Sequence, residues 1–302
     1  MTFEVKRSGE VATAQRDGVP IVAMESTIYS NLGLPSPANR EALDRCSKAI
    51  RGGGCVPAVV VVLDGVVRLG VEPHEEDRLL GEARKVAERD IAVAVAQRWS
   101  VGVTTVSATV SVCAVAGVSV FATGGIGGVH RQSEVTGDIS ADLDAIASHP
   151  VITVSAGAKA FLDLPRTLEY FETIGVPVVG WQHDWFPAFY TRSSGIRLTH
   201  RAESGREVAM ILANRSRPNR GVLVANPIPA ADELDAVFLD GVLSRAVSDC
   251  AKRGISGAAV TPFILGRIAE ATEGRSVPAN LALAENNARV AAEIARAVAE
   301  LR

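Results

Sequence analysis

A lysine with nucleophilic potential stands in the run Ser155-Ala156-Gly157-Ala158-Lys159, directly after an apolar, β-branched segment. If that segment is a buried strand, the stem of Lys159 packs on apolar neighbours. Its amine then enters a cleft, where loss of hydration favours the uncharged form. An uncharged amine can form a Schiff base with a carbonyl carbon. The alternative is a surface lysine at the start of a helix, although a cation there opposes the helix dipole. The residues alone leave both interpretations open.

A carboxyl group follows the first apolar segment, in Glu25-Ser26-Thr27. A carboxylate at the end of a buried strand costs free energy unless it is partnered or protonated. Glu25 is therefore a candidate general acid. A structural ion pair explains the same carboxyl group equally well.

A glycine-rich loop at 123–131 follows the third apolar segment. Glycines after a strand let backbone amides approach a phosphate, and His130 and Arg131 add donors, so we expect an anion site that includes His130. The loop lacks the Gly-Lys-Ser/Thr of a Walker motif, and His130 stands where a dinucleotide fingerprint needs its third glycine. A plain tight turn is the alternative.

Two carboxylates and a hydroxyl alternate in the run Asp138-Ile139-Ser140-Ala141-Asp142. Oxygen ligands at this spacing suit a hard divalent cation. An EF-hand is excluded, because Leu143 stands at the obligatory glycine position and His149 at that of the bidentate glutamate. From the residues alone, a helix N-cap with solvated acidic side chains is the favoured interpretation.

Several other polar residues receive no role from the sequence. Asn280 and the pair Asn286-Asn287 are equally compatible with helix caps and with polar positions inside a helix. Four further histidines are isolated in sequence, and we assign them no metal role: His74, His149, His183 and His200.

Apolar runs that alternate with helical patterns predict the scaffold for these loops. We predict buried strands at 20–24, 58–63, 118–122, 151–154, 176–179 and 222–224. We predict helices at 38–51, 77–89, 105–116, 159–174, 203–214, 232–253 and about 279–301. This order favours an α/β fold, a largely parallel β-sheet flanked by helices, in a single domain spanning 1–302. The loops after the strands' carboxyl ends then meet at one edge of the sheet.

Composition agrees with this fold and narrows the partners. The chain has 302 residues, 47% of them hydrophobic but only 5% aromatic, as expected for a helix-covered parallel sheet. A net charge of -3 favours neither a nucleic-acid polymer nor an anionic membrane as partner. The sequence has no apolar run of the roughly 18 residues that span a membrane. The cysteines form no Cys-x-x-Cys pair, so we expect a cytoplasmic protein.

Taken in order, the motifs resemble the pseudouridine-5'-phosphate glycosidases, an indigoidine synthase A-like family. The resemblance extends over nearly the whole chain. The matching runs are Ala23-Met24-Glu25-Ser26-Thr27-Ile28, Phe121 to Arg131, Asp138 to Leu143, Ala156-Gly157-Ala158-Lys159, Asp163-Leu164-Pro165, Pro187-Ala188-Phe189-Tyr190, Ala225 to Pro229, Thr261-Pro262-Phe263 and Asn286-Asn287-Ala288.

The resemblance implies a specific site. It makes Lys159 a covalent nucleophile and Glu25 a proton donor, and it places a manganese-type ion at Asp138, which reverses the preference for solvated acids. It also implies ribose 5-phosphate as the ligand and a homotrimer as the assembly. The substrate contacts that it implies are Lys85, Val106, Ser140, Ala141, Asp142 and Asn280.

Three segments depart from the family pattern, and one of them is Ser30-Asn31-Leu32-Gly33-Leu34-Pro35, which replaces the family's Ser-His-Gly-Met-Pro and is one residue longer. The family's Lys-Val-Ser-Arg-Arg-Asp reads Lys85-Val86-Ala87-Glu88-Arg89-Asp90 here, and Trp181 and Trp185 flank a polar turn. The motifs that the resemblance assigns to ribose 5-phosphate are intact, whereas other segments differ, which suggests a different group joined to C1 of the ribose. Stacking residues suit a flat acceptor. The pattern therefore favours the alnumycin-type antibiotic branch, which joins ribose 5-phosphate to an aromatic polyketide. A glycosidase that releases uracil is the alternative hypothesis, and a Schiff-base aldolase acting on a sugar phosphate is the third.

Overall fold

Short runs rich in β-branched residues form the strands of an extended sheet. A computed structural model describes residues 3–255 and 260–301, without the side chains of Ala251, Thr261 and Pro262, so the run Thr261-Pro262-Phe263 falls largely outside the description. The strands are β1 (Val5–Arg7), β2 (Ile21–Met24), β3 (Val56–Leu63), β4 (Val66–Leu69), β5 (Arg84–Val86), β6 (Val101–Thr104), β7 (Val120–Ala122), β8 (Ile152–Ser155), β9 (Val178–Trp181), β10 (His200–Ala202) and β11 (Val222–Ala225).

Most of the sheet is parallel, as the sequence predicts. Its strands follow the order β3-β2-β7-β8-β11-β9-β10, and every neighbouring pair in this series is parallel. Strands β7, β8 and β11 are buried along their whole length. This burial explains the continuous apolar sequences of β7 and β11, whereas β8 also buries Thr153 and Ser155.

Strand β3 belongs to two parts of the sheet. Its first half pairs with β2, and its second half, Val60 to Leu63, pairs antiparallel with β4 and with β6. Strands β1 and β5 extend this mixed part through parallel pairing with β4 and β6. None of the added strands β1, β4, β5 and β6 is predicted from the sequence, and β5 lies within the predicted helix at 77–89.

Helices flank the sheet, and together with it they form a single α/β domain. Helix α12 packs on α2 and α9, whereas α7 packs on α5 and on α8. Among the described residues no helix is both long and apolar enough to cross a membrane. The helices are α1 (Gly9–Asp17), α2 (Ala38–Gly52), α3 (Glu76–Leu80), α4 (Ile91–Ala96), α5 (Val106–Ala116), α6 (Ser133–Thr136), α7 (Ala141–Ser148), α8 (Leu164–Ile174), α9 (Gly205–Ala213), α10 (Ala236–Lys252), α11 (Val260–Ala271) and α12 (Ser276–Glu300).

Two helix predictions need correction, and both affect candidate site residues. The predicted helix at 77–89 is wrong beyond α3, because the backbone of Gly81 is extended and β5 pairs with β6, so that Lys85 lies on a strand. The predicted helix at 159–174 begins only at Leu164, where the Asp163 side chain accepts a hydrogen bond from the Arg166 amide. Lys159 therefore precedes the helix, and the helix-dipole argument about it was wrong.

Candidate active site

A cavity of about 550 Å³ lies beside the loops that follow β2, β7 and β8. It gathers the residues that the sequence analysis proposes for the site except Asn280 and Arg131. Its lining comprises Glu25, Thr27, Lys85, Ala87, Arg89, Asp90, Thr105, Val106, Ser107, Gly125, Gly127, His130, Asp138, Ile139, Ser140, Ala141, Asp142, Lys159, Phe161 and Leu162.

Glu25 follows β2 directly and is only 9% exposed. The hydroxyl of Thr123, which follows the neighbouring strand β7, donates a hydrogen bond to its carboxyl group. Burial raises the pKa of Glu25 to about 7, while the Thr123 bond and the charge of Lys159 oppose that rise. The carboxyl group can therefore hold a proton near neutral pH and release it into the cavity.

Lys159 stands on a tight turn after β8. Gly157 in this turn has φ 73°, and a Cβ atom there would lie 2.1 Å from the carbonyl oxygen of Pro187, so only glycine fits. The Lys159 amide donates to Ile126 O at 3.1 Å, which ties the turn to the glycine-rich loop. The half-buried side chain reaches the same cavity as Glu25.

Lys85 brings a second ammonium group to the cavity from β5. Partial removal from water lowers the pKa of Lys85, and the nearby charge of Lys159 lowers it further, whereas Asp142 and Glu25 act in the opposite direction. Two cations facing one cavity suit an anionic ligand, because such a ligand relieves their mutual repulsion.

Asp142 is buried, and both of its carboxylate oxygens bind backbone amides. It accepts from Ser107 N at 3.0 Å, in the first turn of α5, and from Gly127 N at 2.8 Å, in the glycine-rich loop. A Cβ atom on Gly127 would lie 2.2 Å from Ser140 Oγ, so close packing against the chain itself requires this glycine. The prediction of a solvated acid is wrong for Asp142, although Ser140 does cap α7 as predicted.

Asp138 and His130 are neighbours in the cavity lining, where Oδ2 of Asp138 lies 3.7 Å from Nδ1 of His130. Burial lowers the pKa of His130, and the Asp138 carboxylate opposes this shift. Among the described residues no group of three His, Cys, Asp or Glu side chains could hold a metal ion. Asp138 offers a hard oxygen ligand of the kind that a divalent cation prefers, and the predicted cation there stays a prediction.

Asn280 lies beside the glycine-rich loop and does not line the cavity. It is buried on α12, and its Oδ1 atom has no hydrogen-bond partner among the described residues. A Cβ atom on Gly124 would lie 3.6 Å from that oxygen. Its predicted contact with substrate stays a prediction.

Neither tryptophan of the departing segment lines the cavity. Trp181 is buried at the end of β9, and Trp185 is 40% exposed. The aromatic rings in the lining are those of His130 and Phe161, whose centroids lie 6.1 Å apart. The argument from stacking tryptophans to a polyketide acceptor therefore loses its structural basis.

Sequence reasoning missed several residues that lie outside the cavity lining and bind the catalytic residues or their loops. Thr123 binds Glu25, and the buried amide of Asn287 donates to the carbonyl groups of Thr123 and Gly124. Phe189 has φ 62° and donates its amide to Ala156 O at 3.0 Å, which fixes the turn before Lys159. Their motifs stood in the family resemblance, but no spacing rule linked them to the catalytic loops.

Comparison with known proteins identifies the relatives of this chain. The sequence profile of the family described as "Indigoidine synthase A like protein" matches residues 10–297. The chain belongs to this family. It is 47% identical to the pseudouridine-5'-phosphate glycosidase of Sorangium cellulosum (strain So ce56), over 97% of this chain and 93% of that protein. It is 43% identical to the enzyme of the same name from Staphylococcus aureus (strain MW2), over 98% of this chain and 97% of that protein.

Solved structures of the family show the same fold. The prealnumycin C-glycosynthase AlnA, crystallised in complex with ribulose 5-phosphate, superposes with a TM-score of 0.90 at 34% sequence identity. The match covers 100% of this chain and 99% of AlnA. This family member is therefore an enzyme of the glycosidase or lyase kind, and its α/β fold with a mostly parallel sheet agrees with the prediction.

Proposed function

We propose that the enzyme cleaves the C-glycosidic bond of pseudouridine 5'-phosphate and releases uracil and ribose 5-phosphate. The observation that carries this proposal is that Glu25, able to hold a proton near neutral pH, shares one cavity with Lys159. The glycosidases at 47% and 43% identity favour this substrate over a polyketide. Because a C-glycosidic bond has no leaving-group oxygen to protonate, the two-carboxylate route of ordinary glycosidases does not apply.

The first step opens the ribose ring. The uncharged amine of Lys159 attacks C1, the bond from C1 to the ring oxygen breaks, and that oxygen takes a proton from Glu25. The product holds C1 on the lysine nitrogen while the bond from C1 to C5 of uracil is still intact. The burial of Glu25 supports its part in this step, because burial keeps the proton on the carboxyl group until it is needed.

The second step breaks the carbon–carbon bond in the manner of a retro-Mannich reaction. The attack leaves the Lys159 nitrogen with two hydrogens and a positive charge, and it gives one of these protons to the Glu25 carboxylate. The freed lone pair then forms a C=N bond to C1, and the electrons of the C1–C5 bond pass to the uracil ring. C5 of uracil then takes a proton, which Glu25 can return once it has been reprotonated. Water hydrolyses the iminium, frees Lys159 and gives ribose 5-phosphate.

The sugar phosphate is held by the cationic side of the cavity. Lys85 and His130 supply donors for the phosphate, and Val106, Ser140 and Ala141 line the same cavity. A divalent cation such as manganese, bound through Asp138, would supply further positive charge for the anionic substrate. We further propose that the enzyme works as a homotrimer.

C-ribosylation of an aromatic acceptor is the second candidate. The likeness to AlnA over its whole length favours it, and AlnA itself was crystallised with a sugar phosphate. The same Lys159 chemistry run in reverse would join C1 of ribose 5-phosphate to a carbon nucleophile. A third candidate, an aldolase acting on a sugar phosphate, would share the Schiff base but release an aldehyde instead of uracil.

The deciding experiment supplies pseudouridine 5'-phosphate with a manganese salt and follows uracil by chromatography. Uracil release by the native enzyme, and none by Lys159→Ala, is the expected result. Lys48→Ala, which changes an exposed lysine on α2, is the matched control and should keep full activity. A native enzyme that releases no uracil contradicts the glycosidase function.

Borohydride reduction with ribose 5-phosphate tests the covalent step separately. The native enzyme and Lys48→Ala should gain the mass of the reduced sugar phosphate, and Lys159→Ala should gain none. An adduct that persists in Lys159→Ala overturns the role of this lysine, whichever acceptor the enzyme uses.

A further inference from the structure

Asn287 is a fully buried amide on α12, outside the lining of the active-site cavity. Its Nδ2 atom donates to the carbonyl oxygens of Thr123 at 2.8 Å and Gly124 at 3.2 Å. Its Oδ1 atom accepts from Asn226 Nδ2 at 2.9 Å. Asn226 therefore fixes which way the amide of Asn287 points, and Asn287 holds the chain at the end of β7.

Thr123 is secured on both sides of its α-carbon. Its amide donates to Val154 O at 3.0 Å on the neighbouring strand, and its carbonyl accepts from Asn287. A threonine side chain has few χ1 rotamers, so a fixed backbone also fixes the direction of its hydroxyl group. That hydroxyl donates to the carboxyl group of Glu25.

We propose that Asn287 is a positioning residue for Glu25: it holds the main chain of Thr123 so that the threonine hydroxyl stays directed at the carboxyl group and supports its ionised form. The chain of bonds runs from Asn226 through Asn287 and Thr123 to Glu25. The catalytic meaning of this chain rests on the proposed function, whereas its effect on the titration of Glu25 does not.

The charged groups around Glu25 show why one hydrogen bond affects its pKa appreciably. Lys159 and Lys85 favour the ionised carboxylate, and Asp142 disfavours it. The buried hydroxyl of Tyr29, from the turn that follows Glu25, also lies within electrostatic reach. Among the effects that lower the pKa of Glu25, the bond from Thr123 is larger than the charge of either lysine. Loss of that bond should therefore raise the pKa further.

The experiment titrates the carboxyl group of Glu25 directly, by infrared difference spectroscopy of the ligand-free enzyme. The Glu25 band is the one missing from Glu25→Gln. In Asn287→Ala we expect the midpoint to rise by about one pH unit, the equivalent of one hydrogen bond. Asn286→Ala is the matched control, because Asn286 is adjacent and also donates to a main-chain carbonyl, that of Pro227 at 3.1 Å. Its midpoint should stay at the native value.

A double-mutant cycle separates positioning from general structural damage. In the Thr123→Val background, Asn287→Ala should leave the midpoint where Thr123→Val alone puts it. If Asn287→Ala does not fold, Asn226→Ala, which only frees the amide of Asn287 to turn, should give a smaller shift in the same direction. An unchanged midpoint in the folded variants, or an equal shift without the threonine hydroxyl, overturns the proposal. Because no turnover is needed, a missing uracil-releasing activity would leave this result intact.

Discussion

The hydroxyl of Thr123 donates a hydrogen bond to the carboxyl group of Glu25, and each residue directly follows one of two paired strands. Met24 and Ala122, the residues before them, are partners in the parallel pair of β2 and β7. The register of this pair therefore places the donor opposite the acceptor. The same hydrogen bond lowers the proton affinity of the proposed acid, because it opposes the larger effect of burial.

Activity should fall as the pH rises through the pKa of Glu25, about 7, since the proposed donor then loses its proton. Thr123→Val removes a bond that favours the ionised form, so the midpoint of this fall should move upward by about one pH unit. The pH profile of kcat/KM with pseudouridine 5'-phosphate measures it. Thr173→Val, which removes a threonine hydroxyl from the exposed surface of α8, should keep the native midpoint. A downward shift in Thr123→Val contradicts the assignment.

Stability should depend on pH through the same carboxyl group. The pKa of Glu25 is higher in the folded chain, about 7, than the ordinary value of 4.5. The unfolded chain thus gives up this proton first, and the free energy of unfolding should fall by about 3 kcal/mol as the pH rises from below 4.5 to above 7.

Glu25→Gln lacks this titration, so its stability relative to the native enzyme should improve with rising pH. Urea unfolding at several pH values between 5 and 8 measures the difference. Glu172→Gln, at an exposed position on α8, should follow the native curve. A constant difference between Glu25→Gln and the native enzyme would show that Glu25 titrates alike in both states.

Gly157 should tolerate alanine far less well than a glycine of similar backbone conformation. Gly157 and Gly117 have φ near 73° and 75°, but only at Gly157 does a Cβ atom meet the chain, at 2.1 Å from Pro187 O. Gly117→Ala should cost about 1–2 kcal/mol through its backbone alone. Gly157→Ala should cost more and should also slow formation of the borohydride-trapped adduct, because the turn that carries Lys159 must move. Thermal unfolding and trapping rates compare the two; equal losses would contradict the close approach.

Asp142 should be needed for the shape of the site as well as for its charge. Asp142→Ala leaves the amides of Ser107 and Gly127 without their acceptor, at a cost of about 1–3 kcal/mol for each buried donor. Asp144→Ala, at an exposed position on the same helix, should cost less than about 0.5 kcal/mol. Urea unfolding measures both. We also expect a raised KM for Asp142→Ala alone. Similar stabilities for the two variants would contradict a structural role for the two hydrogen bonds that Asp142 accepts.

The parts of the site that follow buried strands of the parallel sheet were predictable from the sequence. Each of the loops after β2, β7 and β8 is marked in the sequence by an apolar run that is followed by polar or glycine residues. Parallel pairing brings the ends of such strands together. Glu25, His130 and Lys159 were found in this way, and all three line one cavity. The family resemblance added Lys85, Val106 and Ala141, which no local pattern marks.

Other features depend on contacts between distant segments. The stretch at 77–89 carries a helical pattern, but pairing of β5 with β6 overrides it, and that strand partner is itself only four residues long. Asn287 lies 164 residues from the carbonyl of Thr123 that it binds, so its role could not be seen before α12 was placed on the sheet. The tryptophans show the converse error, because an aromatic pair in sequence need not face the cavity.

Glu25 and Lys85 reach the site from different parts of the sheet, and strand β3 joins those parts. Val59 of β3 pairs with Met24, the residue before Glu25, whereas Val61 pairs with Val103, which in turn pairs with Lys85. The spacing of Val59 and Val61 along β3 thus helps to fix where Glu25 and Lys85 stand relative to each other. A change of register in β3 would change the distance between Glu25 and Lys85, and with it the size of substrate that fits between them. No residue of the cavity lining would have to be replaced for this to happen.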